Sequence, residues 1–172
     1  LFSYLIFSNI IGYGYLLSII LKQKEKNFTF LFLNGTILTI FFSICINFIS
    51  PLSLNITNIF FILFSIIGSY KIYKEIFYSY NFKLIIFTLL FASIIIFKSY
   101  PYNDYEFYHL PYIEILRSFK IIFGLSNFEF SFGYPSIFQN INALQFNSLM
   151  GLDSYVYHTP LVVGILLGEV LF

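Results

Sequence analysis

The chain has 172 residues, of which 59% are hydrophobic, 23% aromatic and only 10% charged. Soluble domains carry roughly 25% charge, so this composition excludes a soluble globular domain, and its apolar content excludes disorder. The net charge of +1 leaves no basic patch of the kind that neutralises phosphates, which argues against nucleic acid as a partner.

Crossing a bilayer as a helix takes about 20 apolar residues. Leu1–Leu21 carries no charge and lacks the basic n-region and small-residue cleavage site of a signal peptide, so it reads as a first span, 1–21. It ends in Lys22-Gln-Lys-Glu-Lys26. Asn27–Tyr70 is again free of charge and divides at Pro51-Leu-Ser-Leu-Asn55 into spans over 28–50 and 55–70. A fourth span, 82–98, has a charge-free centre of about 21 Å, so Lys83 and Lys98 must snorkel to its ends. A fifth, 158–172, begins near His158–Pro160. The lone Cys45 lies in an apolar run and reads as a small buried apolar residue. Leu1 in place of Met, and the stop at Phe172 inside an apolar run, read as a fragment of a longer protein.

The lysines orient the spans. The Lys22–Lys26 and Lys71–Lys83 loops each hold three, whereas the turn at Pro51 holds none. The positive-inside rule puts both basic loops in the cytoplasm and, by parity, residues 99–157 outside. That outer segment carries Asp104, Glu106, Glu114, Glu129 and Asp153 together with His109, and His158 stands at its boundary with the fifth span. Within it, Tyr112–Phe123 reads as an amphipathic helix with Ile113, Leu116, Phe119 and Phe123 on one face. Gly124-Leu-Ser-Asn127 stops that helix, and Phe132-Gly-Tyr-Pro135 is a turn. Ser136–Leu149 begins a second amphipathic stretch carrying Gln139, Asn140, Asn142 and Gln145. Both stretches are expected at the membrane interface. The fold class expected is therefore an all-α integral membrane protein of about five transmembrane helices, with interfacial helices in an outer loop.

Chemistry concentrates in Asn103-Asp-Tyr-Glu-Phe-Tyr-His-Leu-Pro111. In an extended backbone Asp104 and Glu106 point the same way. In a helix Glu106 pairs with His109 and Asp104 with Tyr108. Either geometry suits a divalent cation held by oxygen ligands, or proton removal from a hydroxyl acceptor. The same residues also fit structural roles, Asp104 as an N-cap and Tyr108 in an aromatic belt. Glu169, about 16 Å into the last span, is either functional or paired with a span beyond this chain.

The series Asp104-x-x-x-Tyr108-His-Leu-Pro111, Gly124-Leu-x-Asn127 and Phe132-Gly-x-x-Ser136 resembles a bacterial family of multi-span envelope proteins, with a weaker echo at Ile11-Gly-Tyr-Gly-Tyr15. That family is similar to GT-C-type glycosyltransferases, which take sugars from polyprenyl-phosphate carriers on the outer side of the membrane. Asp104-Tyr-Glu106 matches the acid-x-acid pattern of their outer loop, although that loop usually follows the first span and here follows the fourth. The resemblance implies inverting sugar transfer in envelope polysaccharide or glycolipid assembly at the bacterial inner membrane. Its catalytic residues would be Asp104 as general base, with Glu106 and His109, of which Glu106 or His109 would bind a metal or the carrier phosphate. Substrate binding would fall to Tyr108, Asn127 and Arg117, and a divalent cation (Mg or Mn) would sit on Asp104 and Glu106. The implied partners are membrane lipids and a polyprenyl-phosphate-linked sugar donor. The alternatives are a polysaccharide or lipid export component and a non-catalytic membrane scaffold.

Overall fold

The computed structural model describes residues 2–23, 28–78, 86, 90, 107, 109–127, 129–133 and 137–149. These form α1 (Phe2–Ile20), α2 (Phe28–Ile49), α3 (Leu54–Tyr78), α4 (Leu110–Ser118) and α5 (Ile137–Gln145). Short 3-10 turns lie at Leu125–Asn127 and Phe130–Gly133, and no strand occurs among the described residues. Two stretches, Phe28–Ile49 and Leu54–Lys74, are long and apolar enough to cross a membrane. The expected span 158–172 lies outside the described residues, as does 82–98 apart from Ile86 and Leu90.

Helix α1 ends where Lys22 adopts the left-handed conformation, φ 52°. Lys22 N–H then donates to the Ile19 carbonyl and Gln23 N–H to the Ser18 carbonyl, the paired bonds of a Schellman cap. Gln23 also accepts a bond from the Asn34 amide at 3.0 Å, which ties the cap to α2. Pro51 ends α2, because the residue before a proline avoids the helical region. Helix α3 runs eight residues past Tyr70, through Lys71-Ile-Tyr-Lys-Glu75. Charge alone does not stop a helix when the side chain finds a place: Lys71 is buried, its ammonium 5.4 Å from the Tyr15 ring centre.

Glycines let the backbones meet. Gly12 and Gly14 are about 200° apart around α1, so one faces α3 and the other α2. A Cβ on Gly12 would run into the Phe64 carbonyl, and one on Gly14 into the Leu31 carbonyl. Gly68 and Gly35 answer from the opposite sides, against the carbonyls of Ser8 and Ile10. The core fills in around them. Ile6, Phe7, Ile10, Ile11, Leu31 and Phe32 form one cluster, and Tyr13, stacked at 3.7 Å on Phe64, leads into a second. That second cluster takes in Leu52, Ile113, Leu116, Leu144 and Phe146, which seats α4 and α5 on the first three helices. Meanwhile Ile37, Phe41, Ile59, Ile62 and Ile66 remain exposed on α2 and α3.

Helix α4 is shorter than the 112–123 expected from its periodicity. It starts at Leu110 and ends at Ser118, with Phe119 extended. The reason is Asn47 of α2, whose side-chain amide donates to the carbonyls of Leu116 and Phe119 at 2.8 and 3.0 Å. The Asn47 carbonyl then accepts from Ile121 N–H. Ile113 and Leu116 are buried as their spacing predicts, but Phe119 and Phe123 lie past the helix end and are exposed. Gly124 does mark a turn, at φ 78°.

Candidate functional site

Where α4 and α5 meet the first three helices, buried amides lie among the apolar residues of the second cluster. Gln139, Asn142 and Gln145 repeat every three residues along α5 and are all buried, while Ile137 and Phe138 of the same helix are exposed. The buried side of α5 thus mixes these amides with Ile141, Ala143 and Leu144, whereas the buried stripe of a surface helix is apolar. Gln145 Nε2 donates to Asn9 Oδ1 at 2.7 Å, and Asn9 Nδ2 donates to the Phe61 carbonyl at 2.9 Å. The Ser43 hydroxyl of α2 donates to the Asn140 carbonyl at 2.7 Å. Beyond the helix, Ser148 N–H donates to Asn58 Oδ1. Three carbonyl oxygens in this seam, Asn47 Oδ1, Asn142 Oδ1 and Gln145 Oε1, are buried with no hydrogen-bond partner.

His109 sits at the edge of the seam. It is the N-cap of α4 but makes no side-chain capping bond, and Pro111 occupies the first turn. The half-buried ring instead faces α5, with Nδ1 3.0 Å from Gln139 Nε2. Gln139 is only 1% exposed, so the ring is held by a partner with little freedom. Asp104, Glu106 and Tyr108, the other members of the same run, lie outside the described residues.

The two remaining sequence candidates are elsewhere. Arg117 is eight residues from His109, about 12 Å along α4. Its guanidinium pairs with Glu114 at 2.6 Å and lies 3.5 Å from the Phe146 ring centre, which fastens α4 to the end of α5. Asn127 closes the Gly124 turn, its N–H donating to the Gly124 carbonyl at 2.9 Å, and it is exposed. No group of three or more His, Cys, Asp or Glu that could hold a metal ion occurs among the described residues. Cys45 is half-buried and free.

Asn9, Asn47 and Gln139 are the polar partners not singled out from the sequence as a site. Their signal was present in the spacing 139, 142, 145 and in the isolation of each amide within apolar sequence, where an uncharged polar side chain requires an internal partner.

The fold and seam define an all-helical protein with apolar helices around a buried amide cluster. The chain belongs to the family described as a domain of unknown function, DUF8201, whose model matches residues 1–167. No curated protein and no solved structure matches it.

Proposed function

We propose that this chain belongs to a multi-pass protein of the bacterial inner membrane that transfers a sugar from a polyprenyl-phosphate carrier on the outer face. The observation that carries the reading is the docking of His109, near the end of the Asp104–Pro111 run, onto the amide seam. The hydrogen bonds from residues 109–149 to the first three helices and the Pro51 turn support a common side. They involve Asn9 of α1, Ser43 and Asn47 late in α2, Leu52 in the Pro51 turn, and Asn58 early in α3. The lysine-bearing loops are at the other ends of these helices, and the positive-inside rule assigns those ends to the cytoplasm. Apolar residues outside and amides inside suit a lipid surround, where an unpartnered polar group is costly.

In this reaction Asp104 takes the proton of the acceptor hydroxyl as its oxygen bonds to the anomeric carbon. The bond from that carbon to the carrier phosphate breaks, and the configuration inverts. A divalent cation, Mg or Mn, on Asp104 and Glu106 is part of the proposal, with loss of transfer in EDTA as its test. The decisive experiment compares Asp104→Asn and Glu106→Gln with the wild-type full-length protein in membranes supplied with a lipid-linked sugar. Removing a general base is expected to lower transfer by about 10²–10⁴-fold. Unchanged transfer in both variants refutes the reading and favours export or scaffolding.

A further inference from the structure

Helix α2 carries a continuous apolar stripe on its outer side. Phe30, Ile37, Phe41 and Phe48 are all exposed and lie within about 40° of one another around the helix. Phe30 follows closely on the basic Lys22–Lys26 loop. From Phe30 to Phe48 the helix rises about 27 Å, close to the roughly 30 Å of a bilayer's hydrocarbon core. With α2 as a span, Phe48 stands at the outer boundary of the acyl chains. The stripe does not stop there. The Phe123 ring packs on Phe48 at 6.1 Å between centroids, yet Phe123 is 80% exposed.

We propose that the strip Phe119–Phe123 is a membrane anchor, which sets Phe123 at the acyl-chain boundary of the outer leaflet and Lys120 among its headgroup phosphates. The proposal rests on α2 being a span, as in the reading above, and not on sugar transfer. Helix α4 has used its own apolar positions inside, Ile113 and Leu116 being buried in the second cluster. Had it continued, Phe119 and Phe123 would have extended that buried face. Asn47 ends it instead, its side-chain amide donating to the Phe119 carbonyl and its backbone carbonyl accepting from Ile121 N–H. Those two bonds lay the strip across the end of α2 and leave Phe119, Ile122 and Phe123 exposed. Water disfavours such a patch and a lipid surface accepts it. Lys120 is exposed within the strip, and its stem can lie along apolar neighbours while the ammonium stays at the headgroups. The contact with lipid thus falls to the extended strip, not to the buried face of either short helix.

The test is depth-resolved quenching of the full-length protein in lipid nanodiscs. The chain contains no tryptophan, so Phe123→Trp and Phe41→Trp each add one reporter, read as the difference from the unsubstituted protein. The lipids are brominated either near the headgroup end of the acyl chain or near its terminal methyl. Phe41→Trp, about 10 Å deeper than Phe48, is expected to be quenched most by the deep bromines, and Phe123→Trp by the shallow ones. Tryptophan itself favours the interface, so a second reporter avoids it. A nitroxide on Ile122→Cys, in a background free of other cysteines and with Cys45→Ala, is expected to collide more with dissolved oxygen than with a water-soluble nickel chelate.

Quenching of Phe41→Trp without quenching of Phe123→Trp, or a nitroxide reached mainly by the chelate, overturns the anchor and leaves α2 as a span. The strip would then face water or be covered by polypeptide, another segment or a second copy. Strongest quenching of Phe123→Trp by the deep bromines overturns the interfacial depth. No quenching at either position overturns the spanning reading and the anchor with it. Lys120→Glu sets a negative charge against the phosphates and is expected to weaken the shallow quenching of Phe123→Trp in nanodiscs containing phosphatidylglycerol. Unchanged quenching in that variant overturns the role of Lys120.

Discussion

The junction of α1 with α3 offers the clearest quantitative prediction. A Cβ on Gly12 would collide with the Phe64 carbonyl, with even the carbonyl carbon only 2.9 Å away where ordinary contact starts at 3.4 Å. Both obstacles are backbone, so neither can rotate aside, and Gly12→Ala must push the helices apart by about 1 Å in an interior that packs like a crystal. One turn away, the Asn9 Nδ2 bond to the Phe61 carbonyl is 2.9 Å and would lengthen beyond hydrogen-bonding range. Overpacking costs about 1–3 kcal/mol and the lost bond about 1 kcal/mol, while the better helix propensity of Ala offsets about 1 kcal/mol. The net loss is ~1–3 kcal/mol, or roughly five- to hundred-fold in the unfolding equilibrium. Gly68→Ala meets the Ser8 carbonyl and should behave alike. Because each substitution opens the same gap, the double variant should cost little more than the worse single one. Gly133→Ala, which among the described residues meets the Ser126 side chain, its Cβ at 3.1 Å, is the control and should stay within about 0.5 kcal/mol. Denaturant unfolding of the full-length protein in nanodiscs reads all four. Additive losses, or a Gly12→Ala as mild as Gly133→Ala, would refute the close-contact argument.

Two other substitutions test single contacts by the same unfolding measurement. Lys22→Gly should stabilise the α1 cap by about 0.5–1 kcal/mol, since glycine takes φ 52° without the Cβ penalty. Asn47→Ala removes two side-chain bonds to the end of α4 and should cost about 2 kcal/mol, with faster amide exchange over residues 116–121 as the local signature.

The long apolar elements were legible because composition alone determines them. The expected 1–21 and 28–50 became Phe2–Ile20 and Phe28–Ile49. What the sequence could not carry was where elements end when the cause lies far along the chain. Helix α4 stops because Asn47, some seventy positions earlier, takes its last carbonyls, and no local signal at Phe119 announces that. Similarly, Lys71 reads as a helix terminator until its place beside Tyr15 is known. The amides of α5 were identified as its polar face, but which way that face turns depends on what covers it. Of the candidate site, His109 could be recognised from its motif, whereas its partner Gln139 is thirty residues away and is defined only by the packing of α5 on α4.

The seam itself poses a question that stability can answer. Gln145 spends its donor on Asn9, yet its own Oε1 is buried without a partner. Gln145→Leu alone should cost about 1–3 kcal/mol, because it leaves Asn9 Oδ1 buried and unpaired. Asn9→Leu alone should cost a similar amount, stranding the Gln145 donor. Replacing both removes every side-chain group of the pair at once, including the unpartnered oxygen, and the Phe61 carbonyl keeps its place within α3. The double variant should therefore lie within about 1 kcal/mol of wild type, since apolar exchange of both partners is close to neutral. If so, stability does not require amides at 9 and 145, and a fall in sugar transfer by the stable double variant would assign the pair to function. Losses that simply add, as far as the sum of the two singles, would show that the seam holds the helices together and that its polarity is structural.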